Sequence, residues 1–267
     1  MNLNRFLNLP RSKALSIFFT AGYPRLNDTL TILSQLQKNG VDMVEIGFPF
    51  SDPVSDGPTI QHGNQVAIAN GMTLKLLFSQ LRESRSVAQM PILLMGYINP
   101  VEQYGFSRFL HDASECGVDG VIIPDMPFDL YRSQYRLLFN ESGIKPVFLV
   151  TSRTSPERIV SFDREDPAFL YLLSSDAVTG GAVAVTEAQE RFFKRVADMG
   201  LNSPLFVGFG VRDRESFESV ARHTQGAIIG SAFSRVLEKL SPSNKDASRS
   251  DEAELGKAVR DFIESVR

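Results

Sequence analysis

The stretch Met43-Val44-Glu45-Ile46-Gly47 sets one carboxylate into an otherwise apolar, strand-sized run. In an extended chain successive side chains alternate, so Met43 and Glu45 share one face and Val44 and Ile46 the other. If Val44 and Ile46 pack outward under helices, Glu45 points inward. A carboxyl buried there with no cation beside it in sequence has a raised pKa, which suits general acid/base work near neutral pH. On the strand alone two other readings stay open: a Glu held by hydrogen bonds in a core, or a Glu at the surface of a strand set differently. The segment that follows, Phe48 to Pro58, holds three prolines and two aspartates and is too long and stiff for a minimal turn. Its Asp56 could be a second carboxylate, an anchor for a substrate N–H, or a charge facing a partner. The plain alternative is an Asp in an ordinary Asp-Gly turn.

Two glycine-containing stretches, Gly208-Phe209-Gly210 and Gly230-Ser231-Ala232, each close an apolar run late in the chain. Backbone N–H groups at such corners, with a helix start behind them, form a natural phosphate site, so a phosphate ester is a plausible substrate. Either tripeptide alone also fits glycine used for packing. A third loop, Val178-Thr179-Gly180-Gly181, lies before a helix starting at Glu187 and reads as a lid that excludes water. No lysine stands inside a strand-like run, Lys145 preceding one at most, which disfavours a Schiff-base mechanism. His62, His111 and His223 are scattered and lack metal-ligand spacing. Proton or carbon–carbon chemistry would then run on carboxylates, with the substrate supplying its own electron sink.

The elements that must position these groups recur as βα units. Apolar, β-rich runs begin near Leu15, Met43, Ile92, Gly120, Pro146, Ala168, Leu205 and Gly226, each followed by a longer segment with helical spacing. Their near-continuous hydrophobicity fits strands covered on both faces. After the first, Asn27 can cap a helix whose Leu30, Leu33 and Leu36 share a face and which Gly40 ends. Ser155-Pro156-Glu157 supplies a cap, a first-position proline and an acid in the first turn. Ser241 to Asp251 reads as a surface loop before a terminal helix, Glu252 to Val266. Eight units predict a closed (β/α)8 barrel, one domain over residues 1–267, with its active site at the carboxyl ends of the strands.

The 267 residues, 43% hydrophobic and 22% charged, exclude intrinsic disorder. With 28 basic against 31 acidic residues and no run of one sign, there is no footprint for nucleic acid or anionic lipid. The single cysteine, Cys116, cannot form an internal disulfide. The longest apolar stretches fall well short of the ~20 residues of a membrane span, and the start lacks a signal-peptide pattern. A soluble cytoplasmic protein is the expectation.

Glu45 to Gln61 (EIGFPFSDPVSDGPTIQ) resembles the most specific segment of the tryptophan synthase alpha subunit family, E-x-G-x-P-F-S-D-P-x-x-D-G-P-x-I-Q. Supporting similarities are Thr20-Ala21-Gly22-Tyr23-Pro24, Leu94-Met95-Gly96-Tyr97-Ile98-Asn99-Pro100, Pro124-Asp125-Met126-Pro127 and the two late glycine stretches, so the likeness spans nearly the whole chain. The resemblance implies cleavage of indole-3-glycerol phosphate to indole and glyceraldehyde 3-phosphate, with the indole ring as electron sink. It implies no cofactor in this chain, pyridoxal phosphate belonging to a partner beta subunit in an alpha2-beta2 complex. It assigns acid/base work to Glu45 and the indole N–H to Asp56. Phe18, Ile60, Tyr171 and Phe209 would line the substrate. Gly180, Gly210, Gly230 and Ser231 would hold the phosphate, and Asp52 and Pro53 would face the partner. The family's usual S-R-x-G-V-T-G stands here as Ser174-Ser175-Asp176-Ala177-Val178-Thr179-Gly180. Lacking that arginine and glycine, the lid is expected to close poorly in the isolated chain. The alternatives are a stand-alone indole-producing lyase, a binding-only subunit that activates beta, and a phosphosugar isomerase on the same barrel.

Overall fold

A computed structural model describes residues 14–173, 186–208, 210–240 and 251–267. Eight parallel strands close a barrel in sequence order: β1 (Ala14–Thr20), β2 (Met43–Gly47), β3 (Ile92–Met95), β4 (Gly120–Ile122), β5 (Lys145–Thr151), β6 (Leu170–Leu173), β7 (Leu205–Gly208) and β8 (Gly226–Ile229). The expected (β/α)8 architecture is therefore present. Ala14 pairs with Gly226 and Ile17 with Ile229 to close the ring. A Cβ on Gly226 would lie 2.2 Å from the Ala14 carbonyl oxygen, so only glycine permits that approach.

Alternation along the strands builds two cores. Val44, Ile46, Leu94, Val121, Val150, Leu172, Val207 and Ile229 point outward under the helices. Met43, Leu93, Ile122, Val147, Phe169, Phe206 and Ile228 fill the barrel interior. Each such fully buried side chain contributes about 1.5–3 kcal/mol of transfer free energy.

The helices used below are α1 (Thr29–Lys38), α2 (Pro58–Ala69), α3 (Pro156–Asp163), α4 (Glu187–Ala197), α5 (Arg214–Ala221), α6 (Ser231–Lys239) and α7 (Glu252–Val266). Ser155 caps α3 as expected, accepting from the Arg158 N–H at 3.3 Å with Pro156 at the first position. α4 and α7 start where the sequence placed them, capped by Thr186 and Asp251. Two local expectations need correction. The residue before α1 is Asp28, not Asn27, and its side chain makes no cap hydrogen bond. Lys145 is the first residue of β5 rather than one preceding it; it sits at the amino end of the barrel, paired with Asp166.

Candidate active site

Glu45 is the third residue of β2 and projects into the interior face, beside Met43 in sequence alternation. It is fully buried, and neither carboxyl oxygen has a hydrogen-bond partner among the described residues. Both open alternatives thereby fail: the carboxyl is neither at the surface nor held by core hydrogen bonds. Burial pushes its pKa up to about 8, and the nearby Ser16 hydroxyl, which falls short of hydrogen-bonding geometry, works weakly against that rise. The carboxyl is consequently protonated at neutral pH.

Asp56 reaches the same mouth from the loop after β2. Phe48 ties the loop's start to β3 through its N–H on the Met95 carbonyl at 2.9 Å, and the Phe50 N–H donates to the Asn64 side chain at 3.0 Å. At its far end Gly57 is extended, with φ −75° and ψ 165°, and leads into Pro58 at the start of α2, so the Asp-Gly pair is a helix entry rather than a turn. The Tyr97 hydroxyl donates to Asp56 Oδ2 at 3.3 Å and accepts from the Ser55 N–H at 2.9 Å, while the Gln61 amide donates to the Asp56 carbonyl at 2.9 Å. Partial burial raises Asp56 to about 6, with Tyr97 opposing. Tyr97 itself is pushed up to about 12 by burial and by the Asp56 charge, so it stays a neutral donor.

Apolar walls complete the barrel mouth. Phe18, Ile60 and Tyr171 are buried in the interior cluster with Met95, Leu149 and Leu173 packed on it. The Phe18 ring spans the ends of β2 and β8: a Cβ on Gly47 would meet it at 2.6 Å and one on Gly230 at 3.3 Å. Tyr171 faces both carboxylates. Its pKa is raised well above the ordinary phenol value, first by burial and then by Glu45 and Asp56. Its hydroxyl occupies the space where a Cβ on Gly208 would stand, 2.0 Å away.

At the β7 and β8 end, Gly210 is exposed, with φ +80° and open space around it. Gly230 follows β8 directly and precedes α6, whose first residue is the exposed Ser231; among the described residues no side-chain cap closes that helix, so its first N–H groups are offered to an anion. The positive φ at Gly210 means that any side chain there strains the backbone whatever its charge. Gly180 and Phe209, with the whole stretch from Ser174 to Gly181, lie outside the described residues. In the loop of Asp56, Asp52 is exposed but Pro53 is buried, and the apolar group offered to solvent is Val54, 83% exposed.

A family model described as tryptophan synthase alpha chain matches residues 6–266. The chain belongs to the tryptophan synthase alpha chain family. It is 49% identical over 225 residues to the tryptophan synthase alpha chain of Flavobacterium psychrophilum, covering 84% of this chain and 89% of that one. With the alpha chain of Parabacteroides distasonis it shares 47% identity over 238 residues, 88% and 93% of the two chains. Among solved structures, tryptophan synthase subunit alpha from Legionella pneumophila superposes with a TM-score of 0.84 at 28% identity, covering 100% of this chain and 98% of that one. The tryptophan synthase complex from Pyrococcus furiosus gives 0.81 at 29% identity, covering 95% and 97%. These likenesses set aside a phosphosugar isomerase.

The structure brings Glu45, Asp56, Phe18, Ile60 and Tyr171 together at the carboxyl end of the barrel. Sequence reasoning missed the part played by Tyr97, although the residue lies in a stretch that carries the family likeness; its contact with Asp56 spans 41 residues and has no local signature. It read Gly208 as part of a phosphate loop or as a packing glycine, without identifying the Tyr171 hydroxyl as the group that fills its place. Among the described residues no group of three His, Cys, Asp or Glu side chains could hold a metal ion, and no helix is long and apolar enough to cross a membrane.

Proposed function

We propose that Glu45 and Asp56 divide the retro-aldol cleavage of indole-3-glycerol phosphate between them, Glu45 moving protons and Asp56 stabilising charge. The observation that carries this reading is the split between two carboxyls at one mouth: Glu45 is raised to about 8 and Asp56 only to about 6. At neutral pH the first holds a proton and the second is an anion.

Protonated Glu45 gives its proton to C3 of the indole ring, which becomes an iminium cation. The Asp56 carboxylate accepts a hydrogen bond from the ring N–H and offsets the new positive charge. Glu45, now ionised, takes the proton from the hydroxyl on the carbon attached to C3. As that oxygen forms the aldehyde carbonyl, the carbon–carbon bond breaks and its electron pair returns to the ring, neutralising the nitrogen. Indole leaves with the donated proton on C3, glyceraldehyde 3-phosphate leaves as the aldehyde, and Glu45 is protonated again. Phe18, Ile60 and Tyr171, with Phe209, wall the indole, and the N–H groups at Gly230 and Ser231, with Gly210 and Gly180, take the phosphate.

Indole is passed to a beta subunit that carries pyridoxal phosphate, in an alpha2-beta2 assembly in the cytoplasm. The partner surface runs through Asp52, with Pro53 shaping the loop from inside and Val54 supplying apolar contact. Indole release by the isolated chain, with and without a beta subunit, tests the reading; a chain that stimulates beta but never releases indole would support a binding-only subunit instead.

A further inference from the structure

Ser16 stands on β1 two residues before Phe18, and Phe18 is the register partner of Glu45. Alternation turns Ser16 inward with Ala14 and Phe18, while Leu15, Ile17 and Phe19 join the outer core. Its side chain is fully buried, and among the described residues its hydroxyl has no hydrogen-bond partner, the same condition as both Glu45 oxygens. The register partners of Ser16 are Met43 and Ile228, whose side chains offer no acceptor. A buried hydroxyl without a partner is costly where alanine would cost nothing, so its presence beneath an interior carboxyl that also lacks one calls for a role.

We propose that Ser16 is a positioning residue for Glu45, its hydroxyl turning to donate to the carboxylate each time Glu45 has given up its proton and holding that carboxylate toward the mouth for the proton's return. A serine hydroxyl suits this because it rotates and can accept from the acid as well as donate to the anion. The charge-assisted bond to the anion is the stronger, so Ser16 favours ionisation, the direction in which it acts on Glu45. Among the described residues, the titratable group that interacts with Glu45 is Tyr171 from β6, which also feels Asp56 of the following loop. Its neighbours on β1 and β3 in register are the uncharged Phe18 and Leu93. The inference rests on Glu45 being the acid/base of the proposed reaction.

Infrared difference spectra between the wild-type chain and Glu45→Gln isolate the Glu45 carboxyl and, recorded against pH without substrate, give its titration midpoint. In Ser16→Ala the midpoint is expected to rise by about half a pH unit or more, with the upper limb of kcat/KM moving alongside it. Ser16→Thr, which keeps the hydroxyl, is expected to return the midpoint to the wild-type value. A midpoint unmoved in Ser16→Ala, or moved equally in Ser16→Thr, overturns the proposal. The wild-type spectrum is a check that needs no Ser16 variant: above the midpoint the Glu45 carboxylate bands are expected at hydrogen-bonded frequencies, and bands of an unbonded carboxylate overturn it. Since the midpoint is read without turnover, it is independent of the catalytic reading. A moved midpoint alongside an active Glu45→Gln would keep the Ser16 contact and remove the role of Glu45.

Discussion

At the amino end of the barrel, Asp42 and Asp119 each stand just before a strand, and each accepts a backbone N–H and an arginine on its Oδ2. Asp42 accepts the Leu15 N–H at 2.9 Å and pairs with Arg267. Asp119 accepts the Ile92 N–H at 2.8 Å and pairs with Arg85 at 2.6 Å, while Arg85 also donates to the carbonyls of Met90 and Gly117. At the carboxyl end, among the described residues, Glu45 has no hydrogen-bond partner and Asp56 has a single long side-chain bond from Tyr97. The same chemical group is thus tied down where the chain must be held and left unsatisfied where a proton must move. The difference assigns stability to one end and chemistry to the other, as barrel enzymes generally divide them.

Exchanging the chemistry end's buried acid for an amide breaks the comparison hardest. Glu45→Gln keeps shape but cannot transfer a proton, so indole release should fall about 10²-fold or more. The same variant should gain stability, and the sign follows from linkage. With a folded pKa of about 8 against an ordinary 4.5, the folded state holds a proton that the unfolded state loses, so wild-type stability declines as pH rises from 4.5 through 8. The advantage of Glu45→Gln should therefore grow across that window, on the order of 2 kcal/mol or more at its upper end, about 4–8 °C in Tm for a chain of this size. Thermal melts at pH 5 and pH 9 check it; a difference that does not change with pH contradicts it.

Asp56→Asn should lower kcat about tenfold or more while changing KM less, because the charge matters most once the ring is cationic. An effect confined to KM would show that Asp56 only holds the ground state. From the opposite end, Arg85→Ala should cost about 1–3 kcal/mol by unpairing Asp119 and the Gly117 carbonyl. Its kcat at 25 °C should be unchanged, and a substantial loss of kcat in the folded variant would blur the division between the two ends. The smallest effect is expected for Tyr97→Phe, a loss of about tenfold or less in kcat/KM at neutral pH. Since the phenol holds Asp56 down, the lower limb of the pH profile, near 6, should move upward in that variant; a limb that stays put would make Tyr97 a loop tether only.

Most of the fold was legible because parallel strands covered on both faces leave long apolar runs, and because Ser155 and Thr186 signal helix starts in the local chain. The inward turn of Glu45 was legible for the same reason, since alternation alone sets it once Val44 and Ile46 are outward. Local signals failed where a contact was made across the barrel. Nothing near Asp56 announces Tyr97, and nothing near Gly208 announces the Tyr171 hydroxyl that fills its missing side chain. Asn27 and Asp28 are equally good caps on paper, and only the path of the chain decides that Asp28 sits at the helix boundary, where it makes no side-chain cap hydrogen bond. Pro53, whose residue type suits an exposed loop, is turned inward while its neighbour Val54 faces solvent.

The central claim is that the active form carries Glu45 protonated and Asp56 ionised, and the pH dependence of kcat/KM for indole release tests it most directly. A bell is expected, rising through about 6 as Asp56 ionises and falling through about 8 as Glu45 loses its proton. Activity that instead continued to climb through pH 8 would mean that ionised Glu45 is the working form, and would contradict the account.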